Sequence, residues 1–221
     1  MDFISLLHKS NLILHISAGC SALLIGIGIL LIKKGGRVHR RSGRIFLFLL
    51  FFVILTGLLG VFVFKRNGFL LVITTLSGYM GFSGFRVIRN RSNLPKTIDI
   101  TIALLALAAV AFFLWYFHSL GMMWSPVIIY STVGYLILAV CYDLGRYWIS
   151  EKTYQKLWLH EHIAKLVSAF SGLLSAFTGT VLPQYQPYSQ FLPSVLGSLI
   201  AINFMVALWR KQSPVSMGLL S

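Results

Sequence analysis

Acidic side chains are scarce in this sequence. Only 5 of its 221 residues are Asp or Glu, against 19 Lys and Arg, and charged residues of both signs make up 11% of the chain. Hydrophobic residues make up 57%, and the mean hydropathy is +0.82. This is too little charge to cover the surface of a soluble domain of this length, so the composition indicates an integral membrane protein.

Cysteine is scarce as well, and the common catalytic motifs are missing. Cys20 and Cys141 each lie within an apolar run. Two such thiols provide neither a disulfide framework nor a cysteine-based metal site. The sequence contains no P-loop, dinucleotide-binding fingerprint or nucleophile elbow. Whether the protein is an enzyme is therefore undecided at this stage.

The formal net charge of +14 could suggest a nucleic-acid partner, but its distribution argues against one. The positive residues cluster at the ends of apolar runs, where membrane proteins carry the charges that set their orientation. We therefore predict that the partner is the lipid bilayer and not nucleic acid.

The chain consists mainly of seven apolar segments. Each has about 20 residues, enough to cross a hydrocarbon core of about 30 Å as a helix. Because the connections are short, we predict one membrane domain over residues 1–221, an all-α bundle of seven transmembrane helices. The segments cover residues 12–32, 45–64, 69–88, 98–118, 126–145, 158–182 and 191–209.

A basic stretch at residues 33–44, KKGGRVHRRSGR, separates the first two segments and contains six Lys or Arg. We predict that it is a cytoplasmic loop. If the segments cross alternately, 15 Lys and Arg fall on the side of this loop and 3 on the other. This asymmetry predicts an outer N-terminus and a cytoplasmic C-terminus in a multi-pass protein of the cytoplasmic, or inner, membrane.

Small residues recur at helical spacing within three of the segments. Such rows let helix backbones approach closely in lipid, so we predict that they face the interior of the bundle. The rows are His15, Gly19, Ala22 and Gly26; Ser77, Gly81 and Gly84; and Ala164, Ser168, Ser171 and Ser175.

Four histidines are candidate cofactor and metal ligands. His15 and His118 are expected near the outer face, and His39 and His160 near the inner face. Histidine is a common axial ligand of haem iron, and two groups at opposite faces suit a pair of membrane haems. The sequence thus raises the hypothesis that the protein binds haem b or another redox cofactor.

Arg40 and Arg44 could neutralise the propionates of such a haem.

Two other functions remain open. The protein could be a transporter, or a structural or sensory membrane protein without a cofactor. The central thirds of the seven segments contain no Asp, Glu, Arg or His, so no proton relay is predicted across the membrane and sites are expected near the two faces.

A metal-dependent enzyme is a further alternative, with a cytoplasmic-face site made of His39, His160, His162 and Glu161. At about 100° per residue, however, His160 and His162 point to nearly opposite sides of the sixth helix. We predict that His160 faces the bundle, whereas His162 faces headgroups or a neighbouring loop. Glu161 is placed to pair with Lys165 one turn later.

Asp143 and Arg146 stand three residues apart near the inner end of the fifth segment. This spacing predicts a salt bridge that anchors the end of the helix. Tryptophans near the ends of segments are predicted to lie at the two membrane interfaces. Those of the outer interface are Trp115 and Trp124, and those of the inner one are Trp148, Trp158 and Trp209.

Two stretches, HRRSGR at 39–44 and HEHIAKLVSAF at 160–170, resemble a family of bacterial predicted membrane proteins known as domain of unknown function 2306. The resemblance covers the first two segments best and implies a multi-spanning fold without implying an activity. It rests on His15, Gly19, Gly26, Gly36, His39, Arg40, Gly43 and Arg44, together with His160.

Overall fold

A computed structural model of the protein describes residues 3–64, 69–119, 121 and 126–212. Over these residues the chain forms seven α-helices and two 3-10 turns, without a β-strand. The predicted all-helical architecture is confirmed. The helices are α1 (Phe3–Leu31), α2 (Arg37–Phe62), α3 (Phe69–Asn90), α4 (Thr97–Ser119), α5 (Pro126–Gly145), α6 (Glu151–Val181) and α7 (Tyr188–Gln212).

Six helices in the described part of the chain are long and apolar enough to cross a membrane. They are α1, α2, α3, α4, α6 and α7, so α5, the predicted fifth span, is not one of the six. Lipid cannot hydrogen-bond to a peptide group, and a helix satisfies these groups within its own segment. The fold is therefore that of a multi-pass membrane protein.

Several helices begin earlier than the apolar segments from which they were predicted. α1 begins at Phe3, α2 at Arg37 and α6 at Glu151. The prediction of a loop over 33–44 was thus wrong for residues 37–44, which form the first two turns of α2. Hydropathy marks where a helix enters the hydrocarbon, whereas the helix itself continues into the headgroup region.

Lys34 lies in the short turn between α1 and α2 and caps the end of α1. Its Nζ donates to the carbonyl oxygens of Ile29, Leu30 and Ile32 at 2.9, 2.7 and 3.1 Å. A cation is favourable at the C-terminus of a helix, where the last carbonyls have no partner within the helix. The same Nζ lies 4.5 Å from the ring centre of Phe204 in α7. This one side chain therefore links the C-terminal end of α1 to α7.

The helices pack in a pattern centred on α3 and α6. α3 contacts α2, α4, α5 and α6, while α6 packs closely against α3 and α7, and α1 packs mainly against α2. The predicted rows of small residues occur at these contacts. A Cβ at Gly84 would overlap Leu166 of α6, and one at Gly26 would overlap Phe170. The prediction that the rows face the bundle is confirmed at these positions.

Connections from different parts of the chain meet at one end of the bundle. Gln155 donates to the carbonyl oxygen of Arg91 at 2.8 Å, and Asn93 donates to that of Ile149 at 2.8 Å. We call this the basic end. It consists of residues 32–36, 91–96 and 146–150, the adjoining helix ends and the C-terminal end of α7. Lys65 and Arg66, predicted for the opposite face, lie outside the described residues.

Tryptophans are exposed at both ends of the bundle. Trp148 and Trp209 at the basic end, and Trp115 at the other end, are each at least 65% exposed. This placement suits an aromatic belt at each membrane interface. Trp158 instead lies beneath the guanidinium group of Arg91, 4.7 Å from it. Trp124 lies outside the described residues.

Candidate functional site

The turn between α5 and α6 carries a charged side chain into the bundle. A 3-10 turn at Arg146–Trp148 follows α5 directly and buries Arg146. Ser150 then caps α6, its side chain accepting from the backbone N–H of Thr153 at 3.3 Å. Serine at this position satisfies one of the free N–H groups at the start of a helix. The chain reverses direction within five residues, so the end of α5 lies beside the first turns of α6.

Four charged side chains meet beneath this turn, and we call them the ionic cluster. They are Asp143 of α5, Arg146 of the turn, and Glu161 and Lys165 of α6. Each of the four residues is at most 8% exposed. Charged residues are almost never this buried unless they are paired.

Two cations are shared between two carboxylates in the ionic cluster. The Lys165 ammonium donates to both Asp143 and Glu161. The Arg146 guanidinium lies 3.1 Å from Glu161 and 4.0 Å from Asp143. The predicted pairs Glu161–Lys165 and Asp143–Arg146 are therefore confirmed. The structure adds that the two pairs are cross-linked, with Asp143 bound more directly by Lys165 than by Arg146.

Tyrosine hydroxyls donate further hydrogen bonds to the two carboxylates. Tyr79 of α3 donates to Asp143 at 2.6 Å, and Tyr154 donates to Glu161 at 2.8 Å. Tyr142 approaches the same Glu161 oxygen at 3.4 Å. Hydrogen bonds from neutral donors stabilise buried carboxylates without adding charge. The tyrosines therefore surround the cluster while leaving its charge balance unaltered.

The formal charges of the ionic cluster sum to zero. This neutrality matters because an unpaired charge in a low-dielectric interior is costly, by several kcal/mol. Burial alone would lower the pKa of the Arg146 guanidinium, but Tyr154, Glu161 and Asp143 together raise it. Arg146 is therefore held in its charged form.

A second ion pair lies nearby and joins α3 to α4. The guanidinium of Arg86 binds both carboxylate oxygens of Asp99, at 2.6 and 3.2 Å. Asn90 and the backbone N–H of Lys96 also donate to Asp99, at 3.1 and 2.9 Å. The contact with Lys96 is one half of a capping box at the start of α4. Three of the five acidic residues of the sequence thus lie in this one region of the fold.

A small cavity separates this ion pair from the ionic cluster. Its walls include Arg86 and Asp99 on one side and Asp143 and Arg146 on the other, and about 10 Å³ is open to a water centre. That is close to the smallest volume that can hold one water molecule. Arg146 Nε and the hydroxyl of Ser83 are buried, and no protein group bonds to them.

Polar side chains form a large part of the link between α5 and α6. The close backbone neighbours of α5 are α3 and α4, whereas those of α6 are α3 and α7. Long side chains bridge the space between them, with Tyr135 bonded to Ser168 at 2.7 Å and the ionic cluster nearer the basic end. Contacts that depend on charge respond to protonation, which apolar packing does not. The arrangement can therefore couple the position of α5 to the protonation of the cluster.

The two histidines predicted near the outer face have different surroundings. His15 of α1 shares a hydrogen bond of 2.8 Å with the hydroxyl of Thr56 in α2, close to Gly57. Asn11 donates to the backbone oxygen of Thr56 at 3.1 Å, so His15 belongs to a polar contact between α1 and α2. His118 is exposed in the last turn of α4. No hydrogen bond or ring contact joins the two in the part of the chain that the structure describes.

At the basic end, the predicted orientation of His162 was wrong. His162 contacts α3, where its ring shares a 3.2 Å hydrogen bond with the carbonyl oxygen of Gly84. His160 is half-buried and bonds only to Lys156 of its own helix, at 3.2 Å. The error has a physical cause. α6 packs against both α3 and α7, so the side of the helix opposite the His160 stripe also contacts a neighbouring helix.

His39 is half-buried on α2, with Nδ1 enclosed, whereas the side chains of Arg40 and Arg44 are exposed. Within the described residues, no group of three or more His, Cys, Asp or Glu could hold a metal ion. The haem hypothesis at His15, His118, His39 and His160 stays a prediction. A reduced-minus-oxidised visible spectrum of the purified protein would test it.

Sequence reasoning identified both ion pairs but not their convergence. It also missed Tyr79, Tyr154 and the Arg86–Asp99 pair, because Arg86 was counted only as a loop charge. One available signal was the scarcity of acid itself. In a chain with 5 acidic residues and 19 basic ones, each carboxylate inside an apolar segment is unusual and demands a partner.

No protein-family model, curated protein or solved structure matches this chain. The resemblance to domain of unknown function 2306 therefore stays an expectation. The fold and the site together define the class to which this protein belongs. It is an all-helical multi-pass membrane protein with a neutral, buried ionic cluster at one end of its bundle.

Proposed function

We propose that the protein is a proton-responsive sensory protein of the cytoplasmic membrane. The basic end would face the cytoplasm, the N-terminus would lie outside, and α5 would be the fifth of seven spans. The positive-inside rule supports this orientation, since Lys and Arg are concentrated at the basic end. The resemblance to a multi-spanning bacterial family is consistent with it.

One observation carries the sensory role. Asp143 and Glu161 share Lys165 and Arg146 in a buried site that joins α5 to α6. A simple structural anchor needs no such network, because apolar side chains of similar volume are often as stabilising as a buried ion pair. Charged groups buried in membrane proteins are by default candidates for function.

Protonation of either carboxylate would upset the charge balance of the cluster. The site would then hold two cations against one carboxylate, and one cation would be left unpaired. The groups facing the cluster cannot compensate, since Tyr79, Tyr142 and Tyr154 are neutral donors. Asp99, across the small cavity, is already paired with Arg86. The excess charge favours movement of Arg146 or Lys165 toward water, which loosens the polar link between α5 and α6. Acidification of the cytoplasm is the signal that this mechanism reports.

The proposal is tested by measuring the separation of α5 and α6 in lipid. Cys141 of α5 and Lys156 of α6 are exposed, so spin labels at Cys141 and at Lys156→Cys, with Cys20→Ser, give one dipolar EPR distance. We expect this distance to change between about pH 8 and about pH 5, because acid protonates carboxylates and so unbalances the cluster. Asp143→Asn combined with Lys165→Met keeps the site neutral and should reduce the change. A native distance that is insensitive to pH would refute the sensory role.

A second function, passage of a small polar solute, is favoured by a polar seam between α6 and α7. Ser175 and Ser194 are 3.1 Å apart, and Thr178 donates to the backbone oxygen of Ser189. The side-chain oxygen atoms of Ser189 and Gln190 are buried and have no hydrogen-bond partner in the protein. Uptake of glycerol by proteoliposomes would test this function. A rate equal to that of protein-free liposomes would exclude glycerol passage.

A further inference from the structure

The outward face of α2 changes from basic to apolar within one helical turn. Four exposed arginines lie on this face in the first two turns, and large exposed apolar side chains continue it toward the middle of the helix. The opposite face of α2 is buried against the bundle. The residues of the outward face are Arg37, Arg40, Arg41 and Arg44, followed by Ile45, Phe48, Phe51 and Leu55.

An open groove lies where the two parts of this face meet. Arg41, Arg44, Ile45 and Phe48 line it, and it is shallow and open to solvent. The two arginines are three residues apart, so their guanidinium groups are neighbours on the helix surface. Phe48 is 63% exposed and Ile45 is 43% exposed, one turn or less beyond Arg44. The groove thus combines two cations with an adjoining apolar wall.

Among the described residues, neither Arg41 nor Arg44 forms an ion pair, and the acidic residues Asp99, Asp143 and Glu161 are engaged within the bundle. A guanidinium group is weakly hydrated, and its planar fork matches the oxygens of a phosphate. The chemistry of the groove therefore calls for an anion from outside the chain.

We propose that this groove binds an anionic phospholipid, with its phosphate on Arg41 and Arg44 and an acyl chain against Ile45 and Phe48. The apolar wall decides between the two sources of phosphate, because a free phosphate ion gains nothing from exposed Phe48. An anionic lipid uses both halves of the groove. The Arg44–Ile45 junction then marks the boundary between headgroups and hydrocarbon on this side of the bundle. This inference does not depend on the proton-responsive role.

The test measures binding of a fluorescent phosphatidylglycerol to the full chain in neutral detergent. The variant Arg41→Gln with Arg44→Gln is compared with Arg37→Gln combined with Arg89→Gln. The comparison pair removes the same charge from exposed positions at the same end, but outside the groove. We expect the groove variant to bind at least about tenfold more weakly, since a direct hydrogen bond between charged groups contributes roughly tenfold or more to affinity. The comparison pair should change binding less than about threefold.

Further arms separate the possible sources of the anion. Arg41→Lys with Arg44→Lys keeps the charge but not the paired fork, and we expect an intermediate affinity. Phe48→Gln should weaken the binding of phosphatidylglycerol. The inhibition constant of inorganic phosphate should stay unchanged, because phosphate makes no contact with Phe48. Equal losses in the groove and comparison variants would show diffuse surface attraction and overturn the proposal. Equal affinity for phosphatidylcholine would also overturn the proposal. So would inorganic phosphate that displaces the fluorescent lipid as effectively as unlabelled phosphatidylglycerol does.

Discussion

Replacing Lys165 by methionine removes the cation that the two carboxylates of the ionic cluster share most directly. The side chain of Lys165 is only 6% exposed, and methionine has a similar length without the charge. Asp143 and Glu161 then have Arg146 as their only remaining cation within the cluster, so the site carries one excess negative charge. Removing one partner from a buried pair typically costs about 3–5 kcal/mol. We expect a loss of about 3 kcal/mol near neutral pH, because Arg146 compensates in part.

The sign of the pH dependence gives the sharpest test of this reasoning. In Lys165→Met, protonation of one carboxylate restores neutrality, so the loss in stability should shrink as pH falls. In the native protein, protonation of a carboxylate instead leaves an unpaired cation and should lower stability. The two proteins should therefore become closer in stability as the solution becomes more acidic.

The free energy of unfolding can be measured by titrating the detergent-solubilised protein with a denaturing detergent while following circular dichroism. Lys156→Met is the matched control, since Lys156 is exposed on the same helix. Its effect should stay within about 0.5 kcal/mol. Adding Asp143→Asn to Lys165→Met restores neutrality and keeps an oxygen acceptor for Tyr79. We expect this double variant to recover at least about half of the stability that Lys165→Met loses. Substitutions of residues in direct contact are not additive.

Three results would refute the account of the ionic cluster. The first is a loss for Lys165→Met no larger than that for Lys156→Met. The second is a double variant whose loss equals the sum of the two single losses. The third is a stability difference between Lys165→Met and the native protein that grows on acidification.

Three other predictions follow from contacts elsewhere in the bundle. Arg86→Gln breaks the two-pronged pair with Asp99 and should cost about 1.5–3 kcal/mol in the same unfolding assay. Gly197→Val should cost about 1–3 kcal/mol, because even a Cβ there overlaps α6, whereas Gly28→Ala should be nearly neutral, since no atom lies within 4 Å of its Cβ position. His15→Leu removes one interhelical hydrogen bond and should cost about 0.6 kcal/mol. If His15 is instead a haem ligand, that variant loses the Soret absorption of the native protein.

Local features of the chain were predictable because the membrane leaves them few alternatives. An apolar run long enough to cross the hydrocarbon has to satisfy its backbone groups internally, so the helices followed from composition. Rows such as Ser77, Gly81 and Gly84 indicated close helix contacts for the same local reason. The pairs Glu161–Lys165 and Asp143–Arg146 followed from helical spacing, which places such residues on one face.

The faces of α6 could not be assigned from spacing. An ideal helix gives the angles between His160, His162 and Lys165 but not which neighbour each one meets. α6 packs against α3 and α7 on different sides, so its small residues mark more than one interface. Sequence patterns give only the angles between residues of one helix. The positions of the neighbouring helices decide which of those residues make contacts.

By itself the sequence determined that the chain is an all-helical membrane protein, where the basic residues are concentrated and which charges could pair within a helix. Only the tertiary structure decided that these pairs form one neutral site. Tyr79 and Asp143 are 64 residues apart, and Asp143 and Lys165 are 22 apart, so no local spacing relates them. They meet because α3 packs against both α5 and α6. A buried carboxylate is stable only where the fold brings a cation and hydrogen-bond donors to it.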